Sequence, residues 1–184
     1  MFDEIKTEKD ELNLLINKGL SFKVERKIFK RQKGFLGYLK KPIQETETLE
    51  FTIKEPTLST LDRMSSEQIN LSIDESLMNS DNAISESKKL INKHSKTCAK
   101  IIALAVLGQD YLICEQFGNS FKYKNDDKKL NELTELFFMN IKPSMLYQLY
   151  ILVNTISNLS DFINSIRLMS ANRTTMPIRI EQED

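Results

Sequence analysis

Apolar residues recur along this chain at two different periods, and the switch between them divides it. Over residues 3–18, Ile5, Leu12, Leu15 and Ile16 fall near one helical face, and Gly19 stands where such a helix would end. The rest of that segment is polar, so the helix must dock on its own core or on a partner to be stable. Residues 22–30 change character. Phe22, Val24 and Arg26 share one side of an extended strand, and Ile28 continues the set. Residues 31–42 carry Gly34, Gly37 and Pro42 and read as a loop or long hairpin connection. Residues 47–54 alternate cleanly: Leu49, Phe51 and Ile53 point one way, Glu50, Thr52 and Lys54 the other. Paired with 22–30, they predict an antiparallel β-hairpin.

Beyond Pro56 the period lengthens. Pro56 has no amide hydrogen to continue a ladder, and Thr57 or Ser59 can cap a helix whose inner stripe is Leu58, Leu61 and Met64. Residues 65–81 are polar and predict short irregular helix and loop. From about 82 to 107, Ile84, Ile91, His94, Cys98, Ile101 and Ala105 recur at helical spacing. The first half of this segment is amphipathic, whereas the second, AKIIALAVLG, is apolar on nearly every side and predicts a buried central helix ended by Gly108.

Residues 109–124 read as a connection with apolar patches. Three further helices follow: 126–140 with Leu130, Leu133, Leu136 and Phe137; 143–157 with Leu146, Leu149, Val153 and Ile156; and 161–171, capped by Ser160, with Phe162, Ile163, Ile166 and Met169. Short links between them favour antiparallel neighbours. The expectation is a mainly α fold, a bundle of four to six helices with an N-terminal antiparallel β-hairpin (α+β). It divides as 1–55 (first helix and hairpin arm), 56–172 (helical domain) and 173–184 (an exposed or partner-dependent tail).

Composition narrows the function classes. The 184 residues are enough for one core without disulfide or metal staples. The 26 basic residues equal the 26 acidic ones, so net charge argues for neither nucleic acid nor membrane as partner. The apolar run 101–107 is far short of the roughly 20 residues a membrane span needs. The opening stretch MFDEIKTEKDELN is charged throughout and lacks the apolar core of a signal peptide. Cys98 and Cys114 sit in apolar stretches and read as reduced thiols, so the expected compartment is cytoplasmic.

Catalytic patterns are missing from the sequence. His94, the single histidine, shares a helix face with Cys98, but a metal site needs three or four converging ligands, and a reactive thiol needs an electropositive, accessible setting. Both residues read as core. No phosphate-cradling glycine motif occurs. The expectation is a protein with no catalytic residues, no cofactor and no metal.

Charge is segregated, however. Lys23, Arg26, Lys27, Lys30, Arg31, Lys33, Lys40 and Lys41 are interleaved with Phe22, Phe29, Phe35 and Tyr38, and the following stretch from Glu45 to Glu86 is acidic. Aromatic residues among cations can stack bases and hold phosphates. The neutral total favours instead a basic hairpin that docks on an acidic surface of its own chain or of a neighbouring subunit, an arrangement that also suits homo-oligomers. Lys27, Lys30 and Arg31 are the candidate contacts of this segment.

Residues 51–58, FTIKEPTL, form a strand, a Pro-Thr junction and the start of a helix carrying Leu61 and Ser65, and an all-helical body follows, ending in INSIRLMS. Over about residues 45–170 this layout resembles the small tail assembly chaperones encoded in phage and prophage tail modules. The resemblance implies a non-enzymatic protein of the bacterial host cytoplasm. Such a protein binds the long helical tape measure protein, keeps it soluble and helps recruit tail-tube subunits. The counterpart in this sequence is spare apolar helix surface, where Tyr147, Tyr150 and Ile151 broaden the stripe of the 143–157 helix into a candidate groove for a partner helix. The competing reading of that stripe is a fully buried helix. The alternative function is a small nucleic-acid-binding or regulatory protein that uses the basic segment 23–41.

Overall fold

The computed structural model describes residues 18–30, 43–72 and 83–171. The first helix expected over 3–18, the connection 31–42, part of the 65–81 segment and the tail from 172 lie outside the described residues. The architecture is mainly α with an N-terminal antiparallel hairpin, as the sequence pattern leads one to expect. Strands β1 (Leu20–Lys30) and β2 (Ile43–Ile53) pair antiparallel, with Phe22 opposite Phe51 and Val24 opposite Leu49. Gly19 enters β1 with φ +72°, and a Cβ there would meet the Ile53 carbonyl oxygen at 2.8 Å. Only glycine fits that approach.

Five helices follow among the described residues: α1 (Leu58–Ile69), α2 (Ala83–Leu107), α3 (Asp127–Asn140), α4 (Pro143–Ile156) and α5 (Leu159–Ala171). The hydroxyl oxygen of Thr57 accepts the Thr60 amide at 3.4 Å, the cap expected after Pro56. The inner stripe of α1 differs from expectation. Thr60 and Met64 are buried, while Leu58 stands exposed. The helix also runs on through 65–69, where Glu67 Oε1 accepts from Lys100 Nζ of α2 at 2.5 Å.

The C-terminal half of α2 is the centre of the molecule. Residues 101–105 are all buried, and α2 packs on α1, α3, α4 and β2. The base of the hairpin joins this same core. Val24 and Ile53 are buried, and the rings of Phe22 and Phe51 close on Phe137 of α3 at centroid distances of 6.0 and 5.0 Å.

Two segments depart from the sequence reading. The connection expected over 109–124 holds a 3₁₀ turn (Gly108–Tyr111) and a second hairpin, β3 (Leu112–Phe117) with β4 (Ser120–Asn125). Its two-residue Gly118-Asn119 loop, with φ +59° at the glycine, is a hairpin signal that the apolar run Leu112–Cys114 obscured. At the far end, α5 begins after Asn158, whose φ is +46°, and not at a Ser160 cap. Its apolar residues Phe162, Ile163, Ile166 and Met169 are all exposed.

Candidate partner groove

The apolar stripe of α2 changes its surroundings midway. From Ala99 onward it is covered by the core, but Ile84 and Ile91 remain 74% and 65% exposed. Between these two halves lies a cleft of about 410 Å³. One wall is α2, with Leu90, Ile91, His94 and Cys98. The other is the corner between α3 and α4, with Phe137, Phe138, Ile141 and Leu146. That corner is set locally. The Ile141 amide closes α3 on the Phe137 carbonyl at 2.9 Å, and Pro143 at the start of α4 needs no hydrogen-bond acceptor for its nitrogen. No Asp, Glu, Lys or Arg side chain lines the cleft. The stripe from Ile84 through the cleft wall to Cys98 spans about 20 Å of helix, the length of a guest helix of roughly 14 residues.

His94 is the polar group in this wall. It is buried, and its Nε2 has no hydrogen-bond partner. An unpaired buried nitrogen of this kind leaves about 1–3 kcal/mol to be recovered by a guest group that reaches it. Cys98 lies one turn further along, half-buried, and burial pushes its thiol pKa up. That setting favours the neutral thiol over a nucleophilic thiolate. Among the described residues, no cluster of three or more His, Cys, Asp or Glu side chains is placed to hold a metal ion. Among the same residues, no helix is long and apolar enough to cross a membrane.

The structure separates the residues singled out from the sequence. Tyr147, Tyr150 and Ile151 lie on the outer face of α4, while Leu149, Val153 and Ile156 face inward. Leu146 lines the cleft; Tyr150 lies one turn further along α4 on the same side, and Tyr147 and Ile151 sit further round the helix. The open stretch of α2 with Ile84 and Ile91 was assigned to a helix stripe in the sequence but not recognised as surface. Periodicity marks it as apolar, and only the ending of the core before it leaves it bare.

Much of the positive charge of the basic hairpin is paired where it is described. Arg26 Nε donates to Glu47 Oε2 at 2.6 Å and Lys30 Nζ to Glu45 Oε2 at 2.5 Å, while Lys23 stands opposite Glu50. The Glu45 carboxylate, by hydrogen bond and charge, raises the pKa of Lys30. Lys27 is exposed opposite Thr46, and Arg31 lies outside the described residues. Phe22 is in the core and unavailable to stack on a base, whereas Phe29 is exposed. The positive and negative segments of the sequence are thus, in large part, adjacent strands.

A polar cluster that sequence reading missed fastens the opposite side of α2. The Tyr111 hydroxyl donates to Asp127 Oδ1 at 2.5 Å, the Arg63 guanidinium lies 4.3 Å from the Tyr111 ring centroid, and Arg63 Nη2 donates to Asn125 Oδ1 at 2.8 Å. Burial first, then the Asp127 hydrogen bond, push the Tyr111 pKa up to about 12. These residues are far apart in sequence, so no local pattern announces them. Compared with known proteins, this chain matches no protein-family model, no curated protein and no solved structure.

Proposed function

We propose that this protein performs no chemistry of its own and acts as a binding protein that seats an apolar helix of a protein partner in the groove between α2 and the α3–α4 corner. The observation that carries this reading is the uncovered apolar stripe of α2, open from Ile84 through Ile91 and continuous with the cleft beside His94. A groove of this form takes an amphipathic helix by its side chains at helical spacing. Lys88, exposed on the flank of the stripe, and Lys142, exposed at the corner, favour acidic residues beside the apolar face of the guest. The resemblance of residues 45–170 to tail assembly chaperones supports a partner of the tape measure or tail-tube kind. The setting would then be phage or prophage tail morphogenesis in the cytoplasm of the bacterial host.

The test is affinity purification of the tagged chain from its native host, in parallel with Ile91→Glu and Tyr150→Ala variants whose helicity is checked by circular dichroism. The expected result is retention of a long helical protein or a tube protein by the parent chain. Ile91→Glu should reduce that retention at least tenfold, and Tyr150→Ala less. Equal retention by the Ile91→Glu variant removes the groove from the reading. Co-purification of nucleic acid with no specific protein removes the reading itself and turns attention to the basic hairpin.

A further inference from the structure

The helix α5 contributes no residue to the core described above. Every side chain from 159 to 170 is exposed, and α5 packs extensively on no other described element. A helix of 13 residues is marginal in water when it stands alone. Yet Leu159, Phe162, Ile163, Ile166 and Met169 recur at three- and four-residue spacing and form one apolar stripe. The charged residues of the helix, Asp161 and Arg167, lie off that stripe.

We infer that α5 pairs antiparallel with α5 of a second copy of this chain, about a twofold axis at the level of Asn164. The stripe is its own complement in that register. Leu159 meets Met169 of the second copy and Phe162 meets Ile166, each contact occurring twice, as an isologous interface requires. Antiparallel pairing also aligns the two helix dipoles favourably, whereas parallel pairing sets like helix ends side by side. The five stripe residues are 42–69% exposed. They present on the order of 500 Å² per copy, so the pair can remove up to about 1,000 Å², the lower edge of what a specific interface buries. No charge has to be desolvated within the stripe. This surface is distinct from the α2 groove, so the two proposals stand or fall separately.

The experiment is sedimentation equilibrium of the full chain at tens of micromolar. A particle of twice the 21.4 kDa chain mass is expected. Ile166→Glu, in the middle of the stripe, should return it to a single chain. Leu168→Glu, on the opposite face of the same helix, should leave the pair intact and shows that a charge on α5 does not itself unfold the protein. A parent chain that sediments as a monomer, or a pair that survives Ile166→Glu, overturns the inference. Spin labels on Ser170→Cys, with Cys98 and Cys114 replaced by serine, settle the direction. Antiparallel copies hold the labels roughly 20 Å apart or more, and parallel copies about 10 Å. The shorter distance overturns the antiparallel register.

Discussion

Phe137 joins the hairpin to the helices. It is completely buried, and its ring meets Phe51 edge-on at an interplanar angle of 82° while also touching Phe22. Truncation leaves a cavity between three elements that cannot all close in together. Phe137→Ala is therefore expected to lower the free energy of unfolding by about 3–5 kcal/mol in urea titration. A loss under about 1 kcal/mol would show that the hairpin base is held elsewhere. Tyr111 makes a second expectation at this scale. Its pKa, about 12 in the folded chain, lies above the ordinary value of 10.0. The contribution is therefore complete below pH of about 10 and is lost as pH rises towards about 12, because the unfolded chain releases that proton first. Stability measured across this window should fall less steeply in Tyr111→Phe than in the parent. An identical alkaline slope would mean that neither burial nor the Asp127 hydrogen bond holds the phenol in its neutral form. Neither residue stands out in the sequence. Phe137 reads as one apolar position among several, and the partners of Tyr111 come from α1 and α3.

Among the elements, the two hairpins contrast. The base of β1–β2 lies in the core, whereas every residue of β4 is exposed. A two-stranded ribbon without a buried face is marginal in water. Backbone amides of β4 are expected to exchange with solvent faster than those around Val24 and Ile53, read by hydrogen-exchange mass spectrometry. Equal protection would point to a surface that covers β3–β4. The legibility of the elements follows the same physics. The β2 alternation, the Thr57 cap and the helical stripes of α2, α3 and α4 were readable because each is a local pattern with a strong period. The β3–β4 hairpin was not, since Leu112, Ile113 and Cys114 are consecutive apolar residues with no alternation to follow. The α5 stripe was readable as a helix, but not its exposure, because an apolar face looks alike whether its cover comes from the same chain or another.

At the scale of the whole molecule, what the chain leaves uncovered matters as much as what it buries. The core ends partway along α2 and before α5, so two apolar faces remain at separate places, one open to a guest helix and one suited to a second copy. Charge has a smaller part, since cross-strand pairs such as Arg26–Glu47 consume much of the segregation visible along the sequence. The sequence by itself determined the fold class, the first hairpin, the central buried helix and the lack of a recognisable catalytic motif. Each follows from period, caps and residue chemistry over short stretches of chain. Only the tertiary structure decided that Ile84 and Ile91 lie bare while Ile101 is buried, that His94 sits in a cleft wall without a partner for its Nε2, and that α5 stands apart. The reason is physical. Periodicity records which face of an element is apolar, but whether that face is covered depends on where distant segments pack.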